Sequence, residues 1–345
     1  MRIAIDAMGG DFAPQAPVKG ALLARERYPE VEIVLVGQRD AITGALREAG
    51  WPTLPAGIEI REASEVVEIA DDPATAFKKK PDSSLTVGLN MVKNGEADGF
   101  VSAGSTGALL AGATLVVKRI RGLRRAALAP TIPTANGRAV LLDCGANAEC
   151  TVEYLLQFAY LGSYYASKVL GVEKPCVGLL NIGAESEKGD TLRRETYEKL
   201  KEAGERGDLN FIGNVEGSDA MLGKCDVIVA DGFSGNIMLK SVEGAGKLMS
   251  AMLKGMLMKS AGTKVAALLL KDGLRAFKKT LDPNEVGGTA LLGISKPVVK
   301  AHGSSNDVAF CNAVRQAVEV ARSGIAEDIA RDIDKMRLDR VKVTE

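Results

Sequence analysis

The stretch "DVIVADGFSGN" (residues 226–236) sets a short apolar run between an aspartate and a loop of small and polar residues. A β-branched run of this kind is typical of a buried strand. Asp231 and the glycines that follow it then mark the passage out of the strand. The stretch therefore predicts a strand followed by a polar loop, a transition that repeats along the chain of an α/β fold.

The same alternation continues along the chain. Strand-like runs read IAI, EIVLVG, IEI, DGFVS, AVLLD, CVGLLNIG, DVIVA and PVV. Between them lie helical patterns at 16–28, 83–93, 152–170 and 191–203. Strands that alternate with helices of about a dozen residues predict βαβ units. We therefore expect a three-layer α/β/α fold whose mostly parallel sheet is covered on both faces.

Composition excludes several classes of function. The 345 residues are 46% hydrophobic and 26% charged, which is typical of a soluble globular protein. A net charge of zero and an aromatic content of 4% argue against nucleic acid as a partner. Five cysteines without a C-x-x-C pair, and a single histidine, predict reduced thiols and no metal site. We expect no signal sequence and no membrane span, so a cytoplasmic location.

Loops that follow the predicted strands carry the functional signal. Ligands of open parallel sheets bind at the carboxyl ends of the strands, where glycines let backbone N–H groups approach an anion. Neither a P-loop nor a G-x-G-x-x-G motif occurs, so we expect no nucleotide cofactor. Six loops have this character: "DAMGGD" (6–11), "SAGSTGA" (102–108), "DCGAN" (143–147), "NIGAESEKGD" (181–190), "ADGFSGN" (230–236) and "AHGSSN" (301–306).

Several side chains in these loops have chemistry suited to an anion site. Lys188 is either a phosphate-holding cation or a solvated loop lysine. Asp231 could position a cation, accept a proton or cap the next turn. Asn147 and Asn236 are candidate donors to a developing oxyanion. His302, with an ordinary pKa near 6.5, is a candidate acid, base or neutral donor.

The sequence favours no nucleophilic side chain. Cys144 follows a predicted strand, but an inert small thiol is the better interpretation because no histidine is demonstrably close. A serine triad lacks the G-x-S-x-G turn that would present its nucleophile.

Residues 245–281 form a segment of different character, which we call the basic hairpin. It holds seven lysines and one arginine against a single aspartate, a net charge of +7 in a neutral chain. Apolar residues recur at helical spacing, so we expect a projecting amphipathic pair of helices broken near Gly262. Such a pair suits an anionic membrane or an acidic protein; a core or dimer-interface hairpin is the alternative. The predicted docking residues are Leu253, Leu257, Leu270, Leu274 and Phe277.

Ten short blocks together resemble the bacterial phosphate acyltransferase family, PlsX. They run in order from residue 3 to residue 306: "IAIDAMGGD", "SAGSTGALLA", "ALAPTIPT", "LLDCGAN", "GLLNIG", the Lys188–Gly189 pair, "FIGNVEG", "DGFSGN", "GGTALLG" and "KAHGSSN". The resemblance implies a fold similar to those of phosphotransacetylases and isocitrate/isopropylmalate dehydrogenases. One catalytic domain would cover 1–325, and 326–345 would be a charged terminal helix.

The resemblance also implies an activity. Acyl-[acyl carrier protein] and orthophosphate would give acyl phosphate, which feeds a membrane enzyme that acylates glycerol 3-phosphate. The family is typically a homodimer that associates peripherally with the membrane. We expect Lys188, Asp231, Asn236 and His302 to carry the chemistry. The expected phosphate-binding residues are Gly9, Gly10, Gly104, Ser105, Thr106, Asn147, Ser304 and Asn306.

Three other functions remain open at this stage. A phosphotransacetylase would use acyl-coenzyme A as donor, so a donor comparison separates it from the carrier-protein enzyme. A non-catalytic docking protein would show no phosphate-dependent loss of thioester. A dehydrogenase of the related fold has the least support, because the sequence has no cofactor motif and no metal-binding carboxylate cluster.

Overall fold

The larger of two sheets begins at the amino terminus. The structure is a computed structural model that describes residues 1–338, except for the side chain of Pro283. The strands, in spatial order, are β3 (Ile58–Glu62), β2 (Glu32–Gly37), β1 (Arg2–Asp6), β4 (Gly99–Ser102), β12 (Val298–Ala301), β11 (Gly288–Leu292) and β5 (Ala127–Ala129). β11 runs antiparallel to both β12 and β5, and the other neighbouring pairs described in this sheet are parallel. The carboxyl ends of β1, β4 and β12 therefore lie side by side.

The smaller sheet follows the same plan. Its strands, in spatial order, are β6 (Thr131–Thr134), β7 (Gly137–Leu142), β10 (Val227–Val229), β8 (Cys176–Leu180) and β9 (Asn210–Val215). β6 is antiparallel to β7, and the other pairs are parallel. The loops after β7, β8 and β10 consequently share one edge.

Helices cover both sheets. They are α1 (Gln15–Arg27), α2 (Arg39–Glu48), α3 (Ala76–Lys79), α4 (Ser84–Lys93), α5 (Thr106–Gly112), α6 (Val152–Lys168), α7 (Thr191–Glu205), α8 (Gly217–Met221), α9 (Gly232–Leu257), α10 (Ala261–Leu269), α11 (Lys271–Leu281), α12 (Pro283–Val286), α13 (Asp307–Ser323) and α14 (Ile325–Arg331). A π-helical turn (Ala113–Lys118) continues α5, and a 3₁₀ turn (Ile333–Met336) follows α14. Residues 339–345 of the predicted terminal helix lie outside the described residues.

The neighbouring residues Ile3, Ala4 and Ile5 of β1 are all buried but enter different core clusters, because successive side chains of a strand point to opposite faces. Ile3 and Ile5 of β1 join the cluster formed with Phe310 and Val314 of α13. Ala4, between them, belongs to the cluster on the other face. The predicted α/β class, with mostly parallel strands covered on both faces, is thus confirmed, and its strands are divided between two sheets.

The two sheets meet where one segment of chain passes from one into the other. β5 pairs with β11 of the larger sheet, and β6 pairs with β7 of the smaller sheet. Pro130 stands between them, and its carbonyl oxygen accepts the Leu141 N–H at 3.0 Å. Because Pro130 itself has no N–H to donate, it suits the change of partner. The junction aligns the carboxyl edges of both sheets on one crevice.

The strands that the sequence analysis did not identify are β5, β6, β9 and β11. β5 and β6 have three and four residues and are separated only by Pro130. A register shift between Val177 and Gly178 disturbs the pairing of β8 with β9. β11 pairs antiparallel. These strands are defined by their neighbours in space more than by their own hydrophobic pattern.

The basic hairpin differs from its prediction in one respect. It comprises three helical pieces, the second half of α9 and all of α10 and α11, where a pair of helices was expected. The first break, at residues 258–260, lies near Gly262 as predicted. The break precedes α10, because Ser260 caps that helix and its side chain accepts the Thr263 N–H. Gly262 lies inside the first turn of α10. A second interruption falls at Leu270, which is the C-cap of α10.

The basic hairpin projects from the domain. α10 and α11 contain no buried residue, and the buried residues of α9 are confined to Gly232 and Gly235 at its start. Leu268 and Leu269 are 71% and 84% exposed. Among residues 1–338, no helix combines the length and apolar composition needed to cross a bilayer.

The start of α9 is held tightly against the loop after β7. The Gly232 N–H donates to the carbonyl oxygen of Asn147 at 2.8 Å. A Cβ atom at Gly235 would overlap the carbonyl oxygen of Asp143. Both glycines in "DGFSGN" therefore allow a close approach of backbone to backbone that a side chain would prevent.

We expect Gly235→Ala to destabilise the protein by about 1–3 kcal/mol, because the added methyl group meets backbone that cannot rotate away. Gly244→Ala is the matched control in the same helix, since a Cβ at Gly244 meets nothing within 4 Å. Helix propensity alone favours both substitutions by about 1 kcal/mol. Equal unfolding midpoints for the two variants in urea would contradict this account.

Candidate functional site

One cavity of about 810 Å³ opens at the crevice between the two sheets. Its wall includes Thr106 after β4, Cys144 and Gly145 after β7, and the segment 300–305 at the end of β12. Residues of α9 between Asn236 and Ser250 and the end of α11 close the opposite side. The strand-end loops therefore converge as open parallel sheets predict.

Four of the predicted site residues line this cavity: Thr106, Asn236, His302 and Ser304. The others lie close to the strand ends but outside the lining: Gly9, Gly10, Gly104, Ser105, Asn147, Lys188, Asp231 and Asn306. The structure thus brings together the residues from the loops after β4, β10 and β12. It places Lys188 in an exposed loop of the smaller sheet.

The imidazole of His302 is held in one orientation. The Ser304 N–H donates to its Nδ1 at 3.2 Å, and the Ser304 Oγ lies 2.9 Å from the same atom. Because a backbone N–H can only donate, Nδ1 carries no proton and the neutral ring has its proton on Nε2. Loss of hydration and the nearby charge of Lys240 lower the pKa of His302. His302 is therefore a neutral donor at pH 7.

Lys300 is a buried lysine on the cavity wall, 9% exposed. Its Nζ donates to the carbonyl oxygen of Ala103 at 3.3 Å and to that of Ala301. An ammonium group has three N–H donors. Within the described residues these are its two acceptors, so one donor remains for a ligand in the cavity.

Burial sets the charge state of Lys300. It lowers the pKa of the amino group to about 8, while the carboxylates of Asp6 and Asp11 oppose the shift. The group is thus cationic at neutral pH and loses its charge as the pH rises through about 8. A cation kept in a buried wall at a cost in hydration is typical of a functional site.

Asp6 anchors the loops beside Lys300. It is buried, and it accepts the Ser102 hydroxyl at 2.7 Å and the Met8 N–H at 3.1 Å. Burial raises the pKa of its carboxyl group. A Cβ at Gly9 would lie 2.5 Å from the Asp6 Oδ2 and 2.8 Å from the Gly104 N. The predicted phosphate-binding glycines Gly9 and Gly104 therefore pack the first two loops against each other.

Asp143 organises the loop after β7. It accepts the Leu128 N–H at 2.9 Å and the Asn147 N–H at 2.6 Å. The Asn147 side-chain amide donates to Ala126 O at 2.8 Å and to Asp143 at 3.1 Å. Both hydrogens of that amide are thus engaged in holding the loop. Cys144 is buried, and burial raises the pKa of its thiol, which agrees with an inert role.

Asp231 belongs to an ion-pair cluster at the edge of the smaller sheet. It caps α9, accepting the Ser234 N–H at 2.9 Å, and it pairs with Arg193. Although burial opposes it, the bonds from Ser234 and the charge of Arg193 hold the pKa of Asp231 below its ordinary range. The capping interpretation of Asp231 is therefore observed, and Arg193 also pairs with Asp190 at 2.7 Å, two residues beyond Lys188.

Two other predicted residues cap helices. The Ser105 side chain accepts the Ala108 N–H at 3.4 Å at the start of α5. The Asn306 side chain accepts the Ala309 N–H at 2.9 Å at the start of α13. Each cap lies in a loop that lines the cavity: the Ser105 cap beside Thr106, and the Asn306 cap close to Ser304.

The sequence analysis did not name Lys300, Asp6 or the three lysines at the mouth of the cavity among the site residues. Lys240, Lys247 and Lys278 are exposed there, on α9 and α11. A signal for Lys300 was present, since "PVVKA" places a lysine within an otherwise apolar strand. Parallel strands are buried on both faces, so a charged residue in one needs a reason.

Comparison with known proteins agrees with this architecture. A family model described as "Fatty acid synthesis protein" matches residues 1–328. A phosphate acyltransferase of Thermoanaerobacter pseudethanolicus is 47% identical over 97% of this chain and 98% of that protein. One of Clostridium acetobutylicum is 46% identical over 97% of this chain and 100% of that protein. These relatives extend along almost the whole sequence.

Solved structures with this fold are more distant in sequence. A phosphotransacetylase from Streptococcus pyogenes superposes with a TM-score of 0.57 at 19% identity, over 93% of this chain and 94% of that one. A branched-chain phosphotransacylase from Enterococcus faecalis gives 0.55 at 15% identity, over 92% and 98%. These similarities establish the fold alone. The match across residues 1–328 and the identities near 47% show that the chain belongs to the phosphate acyltransferase (PlsX) family.

Proposed function

We propose that this protein makes acyl phosphate from acyl-[acyl carrier protein] and orthophosphate, for use by a membrane glycerol 3-phosphate acyltransferase in phospholipid synthesis. An oxygen of HPO₄²⁻ attacks the thioester carbonyl carbon, and the C–S bond breaks. The proton of the phosphate passes to the departing thiol. The supporting observation is that one cavity presents Lys300 and His302 beside apolar walls.

The cavity residues suit a reaction in which phosphate is itself the nucleophile. The ammonium of Lys300 holds the anion, and the Nε2–H of His302 donates to the thioester oxygen or the departing sulfur. Asn236 offers a second donor. A single donor to a developing oxyanion contributes about 2.7–4 kcal/mol to the rate. Orientation of the two reactants supplies a further part of the acceleration.

The acyl donor discriminates among the candidate functions. We expect loss of acyl thioester to require phosphate and to yield acyl phosphate, which hydroxylamine traps. We also expect acyl carrier protein to be preferred over acyl-coenzyme A as donor by about tenfold or more, because the exposed lysines steer it to the cavity. Preference for acyl-coenzyme A would indicate a phosphotransacetylase. Absence of turnover would indicate a docking protein, and turnover without phosphate a thioesterase.

Lys300 provides a residue-level test of the phosphate site. Lys300→Met keeps the apolar stem, so we expect a folded protein, while loss of a charge-assisted hydrogen bond lowers kcat/KM for phosphate about 10- to 100-fold. In the wild type, kcat/KM should fall as the pH rises through about 8, because Lys300 then loses its charge. Lys300→Met should lack that part of the profile.

The comparison variant is Lys188→Ala, in the exposed loop that the sequence analysis assigned to phosphate. Steady-state kinetics of both variants, with thermal unfolding as the control for folding, show which of the two lysines is needed for the use of phosphate. Unchanged phosphate kinetics in folded Lys300→Met would remove Lys300 from the site. Unchanged kinetics in Lys188→Ala would do the same for Lys188.

The basic hairpin supports a peripheral location at an anionic membrane surface of the cytoplasm. It presents Leu268, Leu269 and Leu270 to solvent, among lysines that attract anionic headgroups. Of the predicted docking residues, Leu253, Leu257 and Leu274 are half-buried, whereas Leu270 and Phe277 are exposed. Acyl carrier protein, a second copy of the chain and the downstream acyltransferase are the other partners in this proposal.

We expect the double variant Leu268→Glu/Leu269→Glu to abolish sedimentation with phosphatidylglycerol vesicles, because it adds negative charge to the exposed apolar tip. Leu222→Glu is the control, since Leu222 is 66% exposed on a different part of the surface. Substitution of glutamate for two predicted docking residues of α11, Leu274 and Phe277, provides a second variant. Undiminished vesicle binding by both hairpin variants would exclude this membrane surface.

A further inference from the structure

The cavity has two chemically distinct parts. Lys300, His302, Ser304 and Asn236 line the end nearest the strands. Six apolar side chains line much of the remainder, at the junction of the sheets and on the helices opposite: Leu128, Ile132, Leu239, Val242, Leu281 and Val286. Charged side chains of α9 and α11 also border this part, among them Lys240, Glu243, Lys247 and Lys278. A polar end that continues into an apolar one matches a ligand with a polar reacting group on a hydrocarbon chain.

The length of the cavity follows α9. Asn236, in the first turns of this helix, lies beside Gly145 of the loop after β7. Gly246 and Ser250 line the cavity further along the same helix. At 1.5 Å per residue, Gly246 is about 15 Å and Ser250 about 21 Å from Asn236 along the axis. The cavity is therefore a channel that runs beside the helix, away from the polar end.

Gly246 lies where the channel is narrow between two helices. A Cβ atom there would contact Leu281 of α11, at 3.9 Å from its Cβ and 4.0 Å from its Cδ2. A larger side chain at 246 would accordingly extend across the channel. Two residues earlier, a Cβ at Gly244 meets nothing within 4 Å, and Gly244 is exposed and outside the lining.

We propose that the apolar part of the channel holds the acyl chain of the thioester donor, and that Gly246 and Leu281 set the chain length it accepts. This inference rests on the proposed function and adds its specificity-determining residues. Long chains occupy the channel beyond Gly246, and short chains end before it. Each methylene group that loses its place lowers binding about fourfold.

The test compares Gly246→Leu with the matched control Gly244→Leu, each as full-length protein. Acyl phosphate formation is measured with octanoyl-, lauroyl- and palmitoyl-[acyl carrier protein]. We expect Gly246→Leu to lower the palmitoyl-to-octanoyl ratio of kcat/KM by at least about fourfold. Gly244→Leu should keep the wild-type ratio. Leu281→Ala, which widens the channel, should raise the ratio.

A binding measurement separates this inference from the proposed function. Fluorescence of cis-parinaric acid reports occupancy of an apolar channel without turnover, and Gly246→Leu should weaken its binding while Gly244→Leu does not. An inactive wild type that still shows this difference would defeat the proposed function and leave the channel. Equal ratios in both leucine variants, or an altered oligomeric state of Gly246→Leu with an unchanged ratio, would overturn the inference.

Discussion

The close approach between the start of α9 and the loop after β7 is the constraint on which the rest of the site depends. Gly232 and Gly235 allow the helix backbone to contact that of Asp143 and Asn147. This contact fixes the direction in which α9 leaves the smaller sheet. The helix consequently forms one wall of the cavity from Asn236 to Ser250, and its second half is the first piece of the basic hairpin.

Buried polar groups make the strand ends rigid. Asp6 and Asp143 each accept hydrogen bonds from neighbouring loops, which offsets the cost of burying their carboxyl groups. Such networks hold a loop in one conformation because every alternative leaves a buried group unpaired. Lys300 lies near the Asp6 carboxyl group, which favours the charged form of the lysine amino group. The polar end of the cavity is thereby held in one arrangement by hydrogen bonds among its own loops.

Local pattern predicted the elements, but long-range packing decided the site. β2 and the helix at 84–93 follow from periodicity, as does the class of the fold. His302 was identifiable because the histidine is alone in a polar loop. Lys300 was not, since its burial depends on Asp6 and Ala103, which are distant in sequence. Lys188 lies after a strand of the other sheet, and the assignment of strands to sheets is not encoded in any single segment.

The helix α9 joins the cavity to the basic hairpin. α9 is unbroken for 26 residues, about 39 Å, from the strand ends to the exposed methionines near Leu257. The cavity wall and the first piece of the basic hairpin therefore belong to one continuous helix. Whatever binds the hairpin changes the cavity only to the extent that it binds one arrangement of α9 more tightly than another. In the proposals above, substrate selection and surface attachment therefore both depend on α9.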